Sequence, residues 1–152
     1  TPIKFRFDMA CAGRLGMELQ PKQMNAEEKA FARKAIESYK GYRDIVMEGD
    51  LYRIGTPYDD TGYYGVMYVS KDKKKAVLFT YCTLYQSRTL VPKYRLYGLD
   101  AQTRYKIREQ NVDKKRFWFD GGTFTGEYLN HAGINPNLNK IYDSAVFVLE
   151  AE

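Results

Sequence analysis

Hydrophobic and polar positions change their period near Gly49, from helical spacing to strict alternation. Ahead of that point, Lys4-Phe5-Arg6-Phe7-Asp8-Met9 alternates polar and apolar and predicts a short strand. A loop marked by Gly13, Gly16 and Pro21 follows. Asn25 stands three residues before Glu28, the spacing of an N-cap and its reciprocal acid. Phe31, Ala35, Tyr39, Tyr42 and Ile45 or Val46 then recur every three or four residues, with Lys29, Arg33, Lys40 and Asp44 on other faces. That is one amphipathic helix, and Gly49 is its stop.

Beyond Gly49 the chain reads as strands and turns. Leu51–Ile54 is a short strand, and Pro57–Gly62 is a turn cluster. Tyr63–Ser70 and Lys75–Leu84 are strands joined by the charged tip Lys71–Lys74. Pro92–Tyr97 and Arg104–Glu109 predict a second hairpin around Gly98–Thr103, and Phe117–Phe119 a further strand before Gly121-Gly122. Thr125–Ala132 is ambiguous, with a helical turn as one reading. Ser144–Leu149 closes the series, Val146 and Val148 opposite Phe147 and Leu149. This spacing predicts a mainly β fold, an antiparallel, Greek-key-like β-sandwich over residues 51–152, preceded over residues 1–50 by a strand, a loop and a long linking helix. Both faces of the Tyr63–Ser70 strand are apolar: Tyr64, Val66 and Tyr68 on one, Tyr63, Met67 and Val69 on the other. One face serves a core; the other calls for a cover from the helix, a missing domain or another subunit.

Length narrows the choice. A chain of 152 residues makes one domain, or one with an appendage, whereas a complete (β/α)8 barrel needs at least about 200. Fourteen Tyr and eight Phe favour sheet. No apolar run approaches the roughly 18 residues of a membrane span. Thr1-Pro2-Ile3-Lys4-Phe5 matches neither a signal peptide nor a lipidation motif. The missing initial Met suggests excision from something longer, so the cellular compartment is not legible.

Candidate chemistry is sparse. Cys11 and Cys82 form no CxxC pattern, and with one His in the chain no Cys/His zinc cluster can be assembled. Both thiols read as small buried fillers, with a disulfide between them as the alternative. Asp59-Asp60 reads as a turn pair rather than a catalytic pair. Asp120 and Glu127 are isolated, and His131 lacks a Ser, Asp or second His beside it. The net charge of +5 raises the question of nucleic acid. Strand alternation, however, puts Lys93, Arg95 and Tyr97 opposite Tyr94 and Leu96, and Arg104, Lys106 and Arg108 opposite Tyr105 and Ile107. Most aromatics then face away from the cations, which leaves no stacking groove for a nucleic acid. Trp118, between Phe117 and Phe119, is either a core or interface aromatic or a platform for a sugar ring.

Four sequence words, in order, carry a family resemblance: Gly13-x-Leu15-Gly16-x-Glu18-Leu19; Tyr39-Lys40-x-x-Arg43 leading to Gly49-Asp50-x-Tyr52-Arg53-Ile54 and Pro57; Gly98-Leu99-Asp100 with Arg104-Tyr105; and Gly126-Glu127-Tyr128-Leu129 with Gly133-Ile134. Together they resemble the C-terminal region of glycoside hydrolase family 36 α-galactosidases, of the bacterial, melibiase-like type. Ala12, Asn130 and His131 depart from the family's usual residues. The resemblance implies a parent enzyme that hydrolyses terminal α-galactosyl groups with retention, using two Asp residues on barrel strands. No Asp here lies in a segment matching either catalytic motif. Catalytic, cofactor and metal residues are therefore expected to be none, with no cofactor and no membrane partner. A retaining site needs two carboxyl groups about 5–5.5 Å apart. By this resemblance the chain supplies at most the last barrel strand and loop, roughly Lys4–Gly16, and should be inactive alone. Its expected role is to support the barrel and to help assemble a homo-oligomer. A carbohydrate-binding module using Trp118 is the alternative.

Overall fold

The computed structural model describes residues 1–16, 20–85 and 91–152; Glu18 and Leu19 of the first sequence word lie outside them. The helix predicted after Asn25 is present as Ala26–Glu48, here α2. Its start is fixed by a reciprocal pair: Glu28 N donates to Asn25 Oδ1 at 2.9 Å, and Asn25 N donates to Glu28 Oε2 at 3.0 Å. Ala32, Ala35, Tyr39, Tyr42, Ile45 and Val46 make its buried stripe. The helix ends at Gly49 for lack of space rather than for a left-handed turn. Its φ is −72°, and a Cβ there would stand 2.4 Å from the Ile45 carbonyl oxygen and 2.7 Å from that of Val69.

Lys4–Met9, expected as a strand, lies instead within a helix, α1 (Ile3–Cys11). The alternation misleads because this helix is buried on two sides. Phe5 packs towards the sheet, with its ring 5.8 Å from that of Tyr81. Phe7, turned about 200° from it by helical geometry, packs against Phe31, Met24, Ala32 and Ala35 of the α2 side. Two apolar contacts two residues apart imitate the period of a strand. The expectation of a barrel strand in this segment is corrected accordingly.

Among the described residues the strands are β1 (Asp50–Gly55), β2 (Tyr63–Val69), β3 (Lys75–Cys82), β4 (Arg104–Gln110), β5 (Thr123–Thr125) and β6 (Asp143–Ala151). They form one antiparallel sheet in the order β1-β2-β3-β6-β4-β5. The predicted charged tip joins β2 to β3, with Lys73 in the left-handed region at φ 58°. The second predicted hairpin does not form. Residues 92–97 make only one isolated bridge, Tyr94 with Ile134, while β4 pairs with β6 and β5. The last strand, from the far end of the chain, occupies the place beside β4 that a local hairpin would have taken. Phe117–Phe119 is likewise not a strand but part of a turn, in which Asp120 N donates to the Phe117 carbonyl at 3.2 Å and Gly122 N to that of Phe119 at 2.9 Å. The ambiguous Thr125–Ala132 contains a short helix, α3 (Gly126–His131), with Thr125 as its cap.

The fold is mainly β and antiparallel, with a long N-terminal helix. One sheet face carries Tyr63, Met67, Val69, Ala76, Leu78, Phe147 and Leu149. It is covered by a second layer built from Leu96, Leu99, Phe119, Leu129, Ile134 and Leu138, largely outside strands. The opposite face carries Val77, Phe79, Tyr81 and Val146, with Tyr64 and Tyr68 half-buried, and is covered by Phe5, Tyr39, Tyr42, Ile45 and Val46 of the helices. The helices thus supply the cover that the two-sided apolar strand called for. Cys11 and Cys82 are buried and free, and belong to the clusters on opposite faces of the sheet.

Candidate functional site

The carboxylates and the histidine singled out in the sequence hold local structure. Asp59 Oδ1 accepts from Thr61 N at 3.0 Å and from Thr61 Oγ1 at 2.5 Å, and these bonds hold its carboxyl below the usual range. Asp120 Oδ1 accepts from Glu109 N at 3.0 Å, fastening its turn to β4. Glu127 is exposed in the first turn of α3, and His131 Nδ1 lies 3.0 Å from the Glu127 carbonyl oxygen. Tyr94, Leu96, Tyr105 and Ile107 are buried while Lys93, Arg95, Arg104 and Arg108 are exposed. Aromatics and cations are therefore separated as the alternation predicts.

Two linked polar clusters that the sequence did not reveal sit at the start of β6. Asp8, fully buried on α1, accepts from Asn111 Nδ2 at 2.9 Å, from Ser144 Oγ at 2.7 Å and from Lys4 Nζ. The Ser144 carbonyl accepts from Lys4 Nζ at 3.0 Å and from Arg116 at 2.6 Å. Arg116 also donates through Nε to Glu109 Oε1 at 2.8 Å and reaches Asp143 Oδ1 at 3.0 Å. The Glu109–Arg116 pair is lopsided. Burial pushes the Glu109 carboxyl up, against the pull of Arg116, and among the described residues its buried Oε2 has no partner. Burial works against the Arg116 charge too, but Glu109 and then Asp143 outweigh it and raise its pKa. The cation is paired with two carboxylates, whereas the buried carboxylate is hydrogen-bonded to one cation, with a weaker pull from Lys4 and a push from Asp120. Nearby, burial pushes the Cys11 thiol up to about 11, so it is no nucleophile at neutral pH. The only signal of these clusters in the sequence is an Asp on what becomes the inner side of a helix, and it was hidden by the false strand pattern.

Trp118 is placed outside the core, 72% exposed. Phe117 and Phe119 turn inward as a parallel pair, 5.5 Å apart, on Phe147. Phe119 and Phe124 meet the indole nearly at right angles, at 5.9 Å and 5.8 Å. Phe124 stacks in turn on Tyr128 at 5.4 Å, so the three rings run in a row along the β5 edge and α3.

Comparison with known proteins places this arrangement. The family profile described as glycosyl hydrolase family 36 C-terminal domain matches residues 63–149, more than half of the chain. This chain belongs to glycosyl hydrolase family 36. The family 36 chain is 32% identical to α-galactosidase 2 of Hypocrea jecorina and 30% identical to probable α-galactosidase G of Aspergillus terreus, over its whole length in both cases and over 19% of each relative. Among solved structures it superposes on the galactosidase domain of the α-galactosidase–sucrose kinase AgaSK with a TM-score of 0.86 at 27% identity. It superposes on the α-galactosidase AgaA of Geobacillus stearothermophilus, solved with raffinose, with a TM-score of 0.87 at 25% identity. Both matches cover all of this chain and 20% of the other. The family 36 chain therefore spans about a fifth of the relatives it matches.

The family 36 words are scaffold in space. Tyr39 OH donates to the Gly13 carbonyl at 2.8 Å and accepts from Leu15 N at 3.3 Å, tying the first word to the second. Asp100 Oδ1 accepts from Gln102 N, Thr103 N and Thr103 Oγ1, and Tyr105 OH accepts from Asp100 N at 3.0 Å. Gly126 sits directly on that turn, where a Cβ would stand 2.0 Å from the Asp100 carbonyl oxygen. Gly133, at φ 70°, brings Ile134 into its bridge with Tyr94. Asn130, one of the departures, donates to the Leu99 carbonyl at 3.1 Å.

Proposed function

We propose that this chain is the non-catalytic C-terminal part of an α-galactosidase, which as a whole hydrolyses terminal α-galactosyl groups with retention. The observation that carries this reading is the alignment of the entire chain with α-galactosidases over about one fifth of their length. Residues 1–50 link the catalytic barrel to the β domain of residues 51–152, and the whole buttresses that barrel. Ile141 and Tyr142, 48% and 44% exposed, flank a cleft of about 460 Å³ shared with Pro2, Phe5 and Phe117. The exposed Ile141 and Tyr142, in a cleft also lined by Lys4, Arg116, Lys140 and Asp143, support docking of the barrel there, and a homo-oligomer contact is the further role of exposed apolar surface on this part.

The test is turnover of a nitrophenyl α-galactoside by the parent polypeptide and by this chain alone. The parent should cleave it and the chain should not. Turnover by the chain alone sinks the reading. A second reading, sugar binding by the chain itself, is favoured by the exposure of Trp118.

A further inference from the structure

We propose that Trp118, together with Phe124 and Tyr128, is a binding surface for a neutral oligosaccharide, taken up through the C–H face of a pyranose ring; this deepens the sugar-binding reading and rests on it. The site is held in place before any ligand arrives. The turn that carries Trp118 is bonded to β4 at its C-terminal end: Gly121 N donates to the Ile107 carbonyl at 2.7 Å, and Ile107 N donates to that of Gly122 at 3.0 Å. Phe119, 1% exposed, anchors the turn in the core. The indole is thus an outward-facing group on a rigid element, with its neighbours set against it at 87° and 84°. Its exposure shows that these contacts leave it largely open. A turn that had to order on binding would lose backbone entropy; this one is already fixed to β4.

The rest of the surface is equally built. Gly122 leaves room for the Phe124 ring, since a Cβ there would stand 2.9 Å from it. Phe124 and Tyr128 stack on each other, 20° from parallel, and continue the row of rings beside the indole.

The surroundings select the ligand. Protein interface cores are depleted of charge, whereas Lys114, Lys115 and Glu127 are exposed close by in the chain. A nucleic acid would need free cations tracking its backbone. Arg116, however, is occupied by Glu109 and Asp143. The exposed Lys114 and Lys115 share the surroundings with Glu127 and with Glu152 at the β5 edge, which accepts from Thr123 Oγ1 at 3.0 Å, so the charge is of mixed sign. A neutral ligand with an apolar ring face and a rim of hydroxyls suits aromatic faces ringed by mixed charges and threonines.

Trp118 is the single tryptophan of the chain, so its fluorescence reports this surface alone. The 152-residue chain is titrated with raffinose while emission maximum and acrylamide quenching are followed. A saturable blue shift with reduced quenching, weakened several-fold by Tyr128→Ala, is the expected result. Saturation-transfer NMR on Trp118→Ala should show raffinose binding lost while the circular-dichroism melt is unchanged. Binding that leaves Trp118 emission unaltered, or that survives Trp118→Ala, overturns this site but keeps the sugar-binding reading. No binding at all overturns both, and leaves the assignment as part of an α-galactosidase standing. Protection of Trp118 that depends on protein concentration and not on raffinose also overturns it, and makes the surface a self-contact.

Discussion

Glu109 is the residue whose environment makes the sharpest claim. Its side chain is fully buried, Arg116 occupies Oε1, and Oε2 has no partner among the described residues, so burial raises its pKa. A carboxyl raised in the folded state binds its proton more tightly there than in the unfolded chain. Stability is then lost as pH rises from the ordinary value of 4.5 through the folded one, because unfolding releases a proton in that window. Glu109→Gln keeps the shape and removes the titration. Urea unfolding across pH 4–8 should show the advantage of the wild type over Glu109→Gln shrinking as pH rises through that window. An advantage that grows instead would mean that the ion pair with Arg116 outweighs burial. Exposed Asp59, Asp72, Asp100 and Asp113 have lowered pKa values and act in the other direction, losing their contributions only as pH falls through 3.8 and below. None of the Glu109 cluster was legible in the sequence. Its members come from α1, β4, the segment after it and β6, and only the pairing of β6 with β4 brings them together.

At the level of elements, legibility follows the number of sides buried. α2 has one buried stripe and an N-cap box, so period and cap agreed and its bounds were readable. α1 is buried on two sides, and its two phenylalanines gave a strand pattern. The hairpin predicted at Pro92–Tyr97 failed because strand partners are chosen across the whole chain, and nothing local marks β6 as the neighbour of β4. Glycine roles were legible only in kind. Gly49 and Gly41 belong to the same helical region but stand in opposite surroundings. A Cβ at Gly49 would collide with two carbonyl oxygens, while one at Gly41 meets nothing within 4 Å. Gly49→Ala should therefore cost about 1–3 kcal/mol, the usual range for overpacking, and lower Tm by a few degrees. Gly41→Ala should add about 0.5–1 kcal/mol from helix propensity alone. Calorimetry of the pair decides the matter: equal effects would mean that the junction relaxes freely around Gly49.

For the molecule as a whole, the question is whether residues 51–152 can stand without the helices that precede them. The family profile begins only at Tyr63, which makes the β part look separable. The packing argues the reverse. Val77, Phe79, Tyr81 and Val146 lie buried on one face of the central strands, and their cover is Phe5, Cys11, Tyr39, Tyr42, Ile45 and Val46. Each large apolar side chain left bare forfeits about 1.5–3 kcal/mol, against a total stability of about 5–15 kcal/mol for a typical protein. Loss of cover over several such residues is enough to unfold the remainder. Tyr81 would lose more than apolar contact, because its hydroxyl donates to the Asp8 carbonyl at 3.0 Å. A chain cut to residues 51–152 should therefore bind a hydrophobic dye, aggregate at micromolar concentration and show no cooperative melt, whereas residues 1–152 melt in one transition. The helices would then be the other half of the core rather than a linker. A soluble, cooperatively folded 51–152 would show that the sheet closes without them.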